Sequence, residues 1–90
     1  MSAEAEFTVA SELGLHARPA GEFAALAGRF SAEVTVARVG SEDWVSGRSV
    51  LSLLSLAASQ GTKLRLRAEG ADAEAALAAL GALLVRPHAG

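Results

Sequence analysis

The sequence predicts an α+β domain whose helices pack on one face of a mainly antiparallel sheet. Three observations predict it. Several short stretches place an apolar side chain at every second position, the mark of a half-buried strand. Two longer stretches repeat apolar residues three and four apart, the mark of a helix with one buried stripe. The two kinds follow one another in the order strand, helix, strand, strand, short helix, strand, helix.

From Glu6 to Ala10, Phe7 and Val9 fall on one face and Glu6 and Thr8 on the other, giving the first strand. Ser11 to Leu15 form a loop into the first helix, whose stripe is Ala20, Phe23, Ala27 and Phe30 and whose exit is marked by Gly28. Pro19 disfavours the α conformation at Arg18, so the first helical residue is either Ala17 or Pro19. Both choices leave His16 at the helix start or just before it.

Ser31 to Val39 alternates again, with Val34 and Val36 inward and Glu33 and Thr35 outward. Gly40 to Asp43 then form a turn, and the hairpin returns through Trp44, Val45 and Ser46. Trp44 is either a binding aromatic or a packing residue at the strand edge, the commoner role. Lys63 to Glu69 is the clearest strand: Leu64, Leu66 and Ala68 alternate with Lys63, Arg65 and Arg67, and the basic face reads as a solvated surface rather than an anion site. Gly70, Ala71 and Asp72 end that strand and cap the last helix, in which Ala76, Leu77, Leu80, Leu83 and Leu84 form the inward stripe. Residues 85–90 are expected to form a frayed tail.

The short helix, within Arg48 to Ala58, carries Val50, Leu51, Leu53, Leu54 and Leu56, which cover far more than one helical face. A segment apolar all round belongs in a large core or against a partner. Either all five residues tuck under loops, or some of them stay at the surface as a patch.

Ninety residues suit a single domain, 1–90, with a modest core and no room for a large buried pocket, which favours a carrier or adaptor over an enzyme with its own cleft. With no cysteine there is neither a disulfide framework nor a thiolate metal site, and the fold rests on packing. A net charge of −2 and a single tryptophan argue against a nucleic-acid footprint. Met1 to Glu6 is acidic where a signal peptide needs basic residues followed by an apolar run, and no stretch is long enough to insert in a membrane, so a cytoplasmic location is expected. His16 and His88 are far apart with no carboxylate pair at ligand spacing beside either, so neither a metal nor a cofactor is expected. There is no nucleophile elbow and no glycine-rich nucleotide loop.

The stretch Glu12 to Ala20, Glu-Leu-Gly-Leu-His-Ala-Arg-Pro-Ala, concentrates the chemistry. A helix N-terminus presents unpaired N–H groups and a partial positive charge. An anion carried on the His16 ring would therefore meet the N–H of Ala17, the dipole and the guanidinium of Arg18, a seat for phosphate. On its own, a single histidine near a helix start that Pro19 begins is more often just that.

Gly14-Leu15-His16-Ala17-Arg18-Pro19-Ala20 resembles the signature of HPr, the histidine-containing phosphocarrier family of the bacterial phosphotransferase system, and Gly47-Arg48-Ser49-Val50-Leu51, with Leu53 to Ala57 after it, resembles that family's regulatory-serine segment. The spacing of the two also fits, and the similarity runs over nearly the whole chain. The resemblance implies an open-faced sandwich, a four-stranded sheet covered by three helices. It implies that His16 takes a phosphoryl group from enzyme I, through its Nδ1 atom, and passes it to the A domain of an enzyme II. Arg18 and the backbone N–H of Ala17 would stabilise the phosphate, and the chain would be a monomeric carrier rather than an enzyme. It further implies that Ser49 is the site of a serine kinase and phosphorylase in some bacteria. On the family's pattern Leu53 and Leu56 point inward, which leaves Val50, Leu51 and Leu54 as an exposed docking patch beside His16.

The chain departs from that pattern in places. Many members carry a small polar residue where Leu13 stands, and leucine resembles the nitrogen-related branch. That branch supplies the alternative function, a regulatory interaction module whose phosphorylation state partners read without sugar transport. Lysines of enteric sugar-type members are replaced by Ala25, Gly28 and Ser52, which shifts docking from charge toward Val50, Leu51 and Leu54. A ferredoxin-like RNA-binding domain shares much of the element order, but Phe7 is the only aromatic on the first strand and the fourth strand has none.

Overall fold

The computed structural model describes residues 1–87. Its elements are β1 (Ser2–Thr8), α1 (Ala17–Ala27), β2 (Glu33–Arg38), β3 (Val45–Ser46), α2 (Val50–Ser55), β4 (Lys63–Glu69) and α3 (Ala73–Val85). The strands form one sheet in the order β1-β4-β2-β3, every pairing is antiparallel, and the three helices pack on one face of it. This is the open-faced sandwich the sequence leads one to expect.

Strand β4 is the axis of the sheet. It pairs along its whole length with β1, from Ser2 opposite Glu69 to Thr8 opposite Lys63, and on its other side with β2. Because side chains alternate, this register brings Ala3, Ala5 and Phe7, Leu64, Leu66 and Ala68, and Val34 and Val36 to the same side. There they meet Phe23 of α1, Leu53 of α2 and Leu80 of α3, all fully buried. Truncating one of these leucines to alanine would cost about 2–5 kcal/mol. Strand β1 begins four residues before the expected Glu6 start, since Ala3 and Ala5 are too small to stand out as an apolar face, and ends at Thr8 rather than Ala10.

Phe7 is accommodated by a glycine. A Cβ at Gly81 would run into the Phe7 ring, so the glycine in the middle of α3 lets β1 and the helix approach. Gly28 does end α1, but in the right-handed region (φ −67°, ψ −14°) rather than through a left-handed cap.

The open face differs from the bare solvated surface expected of Lys63, Arg65 and Arg67. Arg65 pairs with Glu4 at 2.9 Å and Glu42 at 3.2 Å, and Arg67 pairs with Glu4 at 3.3 Å. Both guanidinium groups lie over the Trp44 ring, 4.8 and 4.2 Å from its centroid. Trp44 thus precedes β3 and packs against cations. Ala37, on this face by register, is fully buried although it lies outside the main core.

Asp72 occupies the N-cap position of α3, yet its side chain does not cap that helix. The carboxylate accepts instead from the N–H of Ser31 at 2.9 Å, the N–H of Ala32 at 2.8 Å and the Ser31 hydroxyl at 3.2 Å, tying α3 to the entry of β2. These donors, the Ser31 amide foremost, hold its pKa below the ordinary aspartate value.

Of the segment 85–90 expected to fray, Val85 is still helical, and the guanidinium of Arg86 lies 3.9 Å from Glu22 on α1. Positions 88–90, His88 among them, lie outside the described residues. Among the described residues no helix is long and apolar enough to cross a membrane.

Candidate functional site

The loop between β1 and α1 is held from three directions. The N–H of Ala10 donates to the carbonyl of Leu84, at the end of α3, at 3.0 Å. The Gln60 side chain donates to the carbonyl of Ala10 at 3.2 Å. The N–H of Leu15 donates to the carbonyl of Ala58, just past α2, at 2.9 Å. A turn closed by the N–H of Gly14 on the carbonyl of Ser11 shapes the middle of the loop. Gly14 is required twice over: its φ is +72°, and a Cβ there would strike the Ala58 carbonyl and come within 2.7 Å of Ser59 Cα. Ser11 is 2% exposed and its hydroxyl oxygen has no partner among the described residues.

These restraints deliver His16 to the N-cap of α1. Its backbone is extended (φ −85°, ψ −172°) and its carbonyl accepts the first helical bond, from the N–H of Ala20, at 2.9 Å. The helix therefore starts at Ala17, the earlier of the two starts the sequence allows. Pro19 is the third helical residue, inside the first turn, where its missing N–H costs no helical bond. Ala17 and Arg18 keep theirs, and neither N–H has a partner among the described residues.

The His16 side chain does not cap the helix. The residue is half-buried, and Nε2 is closed off from solvent without a hydrogen-bond partner, whereas Nδ1 is not closed off. An incoming electrophile thus has one open ring nitrogen to meet, next to two free backbone donors at the positive end of a helix. Arg18 is exposed, and among the described residues its side chain makes no hydrogen bond or ion pair. An unengaged guanidinium on the first turn can turn toward an arriving phosphate without first breaking another contact. Among the described residues no group of three or more histidine, cysteine, aspartate or glutamate side chains is placed to hold a metal ion.

Ser49 is the N-cap of α2, its hydroxyl accepting from the N–H of Ser52 at 3.2 Å. The helix is shorter than the apolar run, six residues from Val50 to Ser55. Leu53 and Leu56 are buried, while Val50, Leu51 and Leu54 are 37%, 81% and 36% exposed. Leu13, in the loop before His16, is 62% exposed.

Two arginines to which the sequence assigns no contact of their own reach across the fold. Arg48, beside Ser49, donates to the carbonyls of Phe30 at 2.8 Å and Ala32 at 3.2 Å. Arg38, at the end of β2, donates to the carbonyls of Leu56 at 3.1 Å and Ala57 at 3.2 Å. Both recognise backbone carbonyls distant in sequence, so no local pattern could reveal them.

The family model for the PTS HPr component phosphorylation site matches residues 3–86. The chain is 44% identical over 86 residues to the phosphocarrier protein HPr of Haloferax volcanii, covering 96% of this chain and 97% of that one. It is 44% identical over 81 residues to the phosphocarrier protein NPr of Shewanella violacea, covering 90% and 87%. Among solved structures, a phosphocarrier protein HPr from Bacillus anthracis superposes with a TM-score of 0.85 at 35% identity, covering 92% of this chain and 96% of that one.

Proposed function

The chain belongs to the HPr phosphocarrier family, and from that premise we propose that His16 is its phosphoryl acceptor, charged by enzyme I and discharged to the A domains of enzymes II in the phosphoenolpyruvate-dependent sugar phosphotransferase system. One observation carries the reading: the ring sits at the mouth of α1 with Nε2 enclosed, Nδ1 open, and the N–H groups of Ala17 and Arg18 free beside it.

In the forward step the Nδ1 lone pair attacks the phosphorus of the phosphoryl group carried by the donor. The new N–P bond forms as the bond joining that phosphorus to the donor breaks, and the electron pair of the broken bond stays with the donor. Such a transfer needs positioning and charge neutralisation more than covalent assistance. The Ala17 and Arg18 amides and the Arg18 guanidinium supply both at modest strength. Modest strength suits a carrier, because a phosphate held in a deep basic pocket would not be handed on.

Val50, Leu51 and Leu54 form the docking patch in this reading. Their exposure on a two-turn helix otherwise leaves apolar surface in water without compensation. Ser49, at the rim of that patch, is the regulatory position. A phosphate there would be tolerated at the helix start and would set about two negative charges against a partner's apolar surface.

A second reading, the nitrogen-related regulatory module, keeps the chemistry of His16 and changes the partners. The exposed Leu13 and the likeness to an NPr favour it. Capture of phosphorylated and unphosphorylated protein on candidate enzyme II A domains separates the two.

The primary test is incubation with phosphoenolpyruvate and enzyme I, followed by mass spectrometry kept alkaline to preserve phosphohistidine. An acid-labile gain of one phosphoryl group on the His16 peptide supports the reading. A phosphorylated His16→Ala protein ends it.

A further inference from the structure

We propose that Arg38 is a positioning residue for phosphoryl transfer, holding the His16 loop in place through the exit of α2. The proposal rests on the reading of His16 as phosphoryl acceptor. Arg38 never touches the phosphate; its effect passes through backbone.

The end of a helix leaves carbonyls without intrahelical partners, and a cation there completes them. At the exit of α2 the C-cap Leu56 presents such a carbonyl and Ala57, just past the helix, another acceptor; one nitrogen of Arg38, Nη1, donates to both, at 3.1 and 3.2 Å. Ala57 is the one described residue other than glycine with a positive φ, +52°. An alanine holds that left-handed conformation only where its surroundings enforce it. The Arg38 guanidinium is the side chain that bonds to its carbonyl.

The turn at Ala57 sets the direction of the next carbonyl, that of Ala58. This is the acceptor for the N–H of Leu15, and it lies against Gly14, where no Cβ would fit. Leu15 in turn is joined to His16, whose side chain makes no hydrogen bond of its own. No side-chain hydrogen bond holds the ring, so its aim depends on the packing around Nε2 and on the backbone, which just before His16 is bonded to Ala58.

Arg38 is itself anchored. It pairs with Leu64 at the end of β2, and the following N–H, of Val39, donates to the carbonyl of Lys63 at 3.0 Å. A guanidinium fixed to the sheet thus clamps the segment that aims the acceptor. The docking patch, by contrast, lies on α2 itself, whose start is fixed by the Ser49 cap and whose packing rests on Leu53 and Leu56. Loss of Arg38 should disturb the aim of His16 more than the docking of a partner.

The test compares Arg38→Ala and Arg38→Lys with the parent protein in steady-state phosphorylation by enzyme I and phosphoenolpyruvate, with amide hydrogen exchange read at Leu15. The expected result for Arg38→Ala is a fall in kcat of about tenfold, as a small misplacement of a reacting group produces, with KM within about twofold and faster exchange at Leu15. Arg38→Lys, which keeps the charge and can reach one carbonyl, recovers part of both losses. Asp72→Ala serves as a control for stability, since its contacts tie α3 to β2 and involve no residue of the loop; it lowers Tm and leaves kcat unchanged. Should Arg38→Ala prove too unstable to assay, Arg38→Gln, with a neutral amide that can donate to one carbonyl, is expected to give the same split. An unchanged kcat in the folded Arg38 variants overturns the proposal, as does a lowered kcat with Leu15 exchange unaltered. If the parent protein itself takes no phosphate on His16, the functional reading fails instead, and the two failures are distinguished in the same assay.

Discussion

The N–H of Leu15 and the carbonyl of Ala58 meet at 2.9 Å, and through that bond the loop that carries His16 is fastened to the segment leaving α2. Gly14 makes the approach possible, being left-handed and packed against the same carbonyl. Gly14→Ala should therefore destabilise the protein by about 2–4 kcal/mol, the sum of a left-handed alanine and a steric collision with backbone that cannot yield. Phosphoryl uptake should fall as well, even at temperatures where the variant is folded. Thermal unfolding and the enzyme I assay check the two effects separately. A variant with parental Tm and rate would mean that the loop is not held there.

Arg18 tests the charge part of the transfer. Arg18→Ala removes one exposed guanidinium that has no structural partner among the described residues, so Tm should hardly move. Transfer should slow in both directions by about tenfold to a hundredfold, less than or equal to the loss of one buried oxyanion donor. Quenched-flow measurement of uptake from phosphorylated enzyme I and of release to an enzyme II A domain reads both. Equal rates for variant and parent would assign the stabilisation to the amides alone.

The contrast between elements says what the sequence could and could not disclose. β4 was legible to the residue, because Leu64, Leu66 and Ala68 alternate with charged neighbours over its full length. The inward faces of α1 and α3 are legible for the equivalent reason at helical spacing, except that Phe30, expected in the α1 stripe, lies beyond the end of the helix and is only half-buried. β3 shrinks to two residues because it is an edge hairpin that little but Val36 and Thr35 holds. The Asp72 side chain does not cap its helix as its position suggests, since the competing donors of Ser31 and Ala32 lie some forty positions away in the chain. Of the site, His16 and its helix start could be read locally. The enclosure of Nε2, the collision awaiting a Cβ at Gly14 and the Arg38 clamp could not, because each is a contact between segments that only the fold brings together.

Ser49 caps α2, and substitutions can part that role from the proposed regulatory one. Ser49→Ala removes the hydroxyl that accepts from Ser52 and should cost about 1 kcal/mol, as the loss of a cap does. Ser49→Asp retains a capping oxygen, so Tm should stay near the parental value while uptake at His16 slows. A single carboxylate carries less charge than a phosphate, so the slowing should be smaller than that of the phosphorylated protein. Uptake by Ser49→Asp at the parental rate would remove the regulatory role.

Asp72 gives the fold a pH dependence of definite sign. Its folded-state pKa lies below the ordinary value because backbone N–H groups and the Ser31 hydroxyl favour the carboxylate. The stabilisation is therefore fully present above the unfolded pKa, about 4, and is lost as pH falls through the folded value. The gap in Tm between the parent and Asp72→Ala should be widest at neutral pH and narrow below about pH 4. A gap independent of pH would show that the ionised carboxylate contributes nothing.

The position of the phosphate on the imidazole tests the account most directly. The structure leaves Nδ1 of His16 open and encloses Nε2, so long-range proton–nitrogen NMR of the protein phosphorylated by enzyme I should place the whole of the phosphoryl group on Nδ1 of His16. Phosphate on Nε2, or on any residue other than His16, would contradict it.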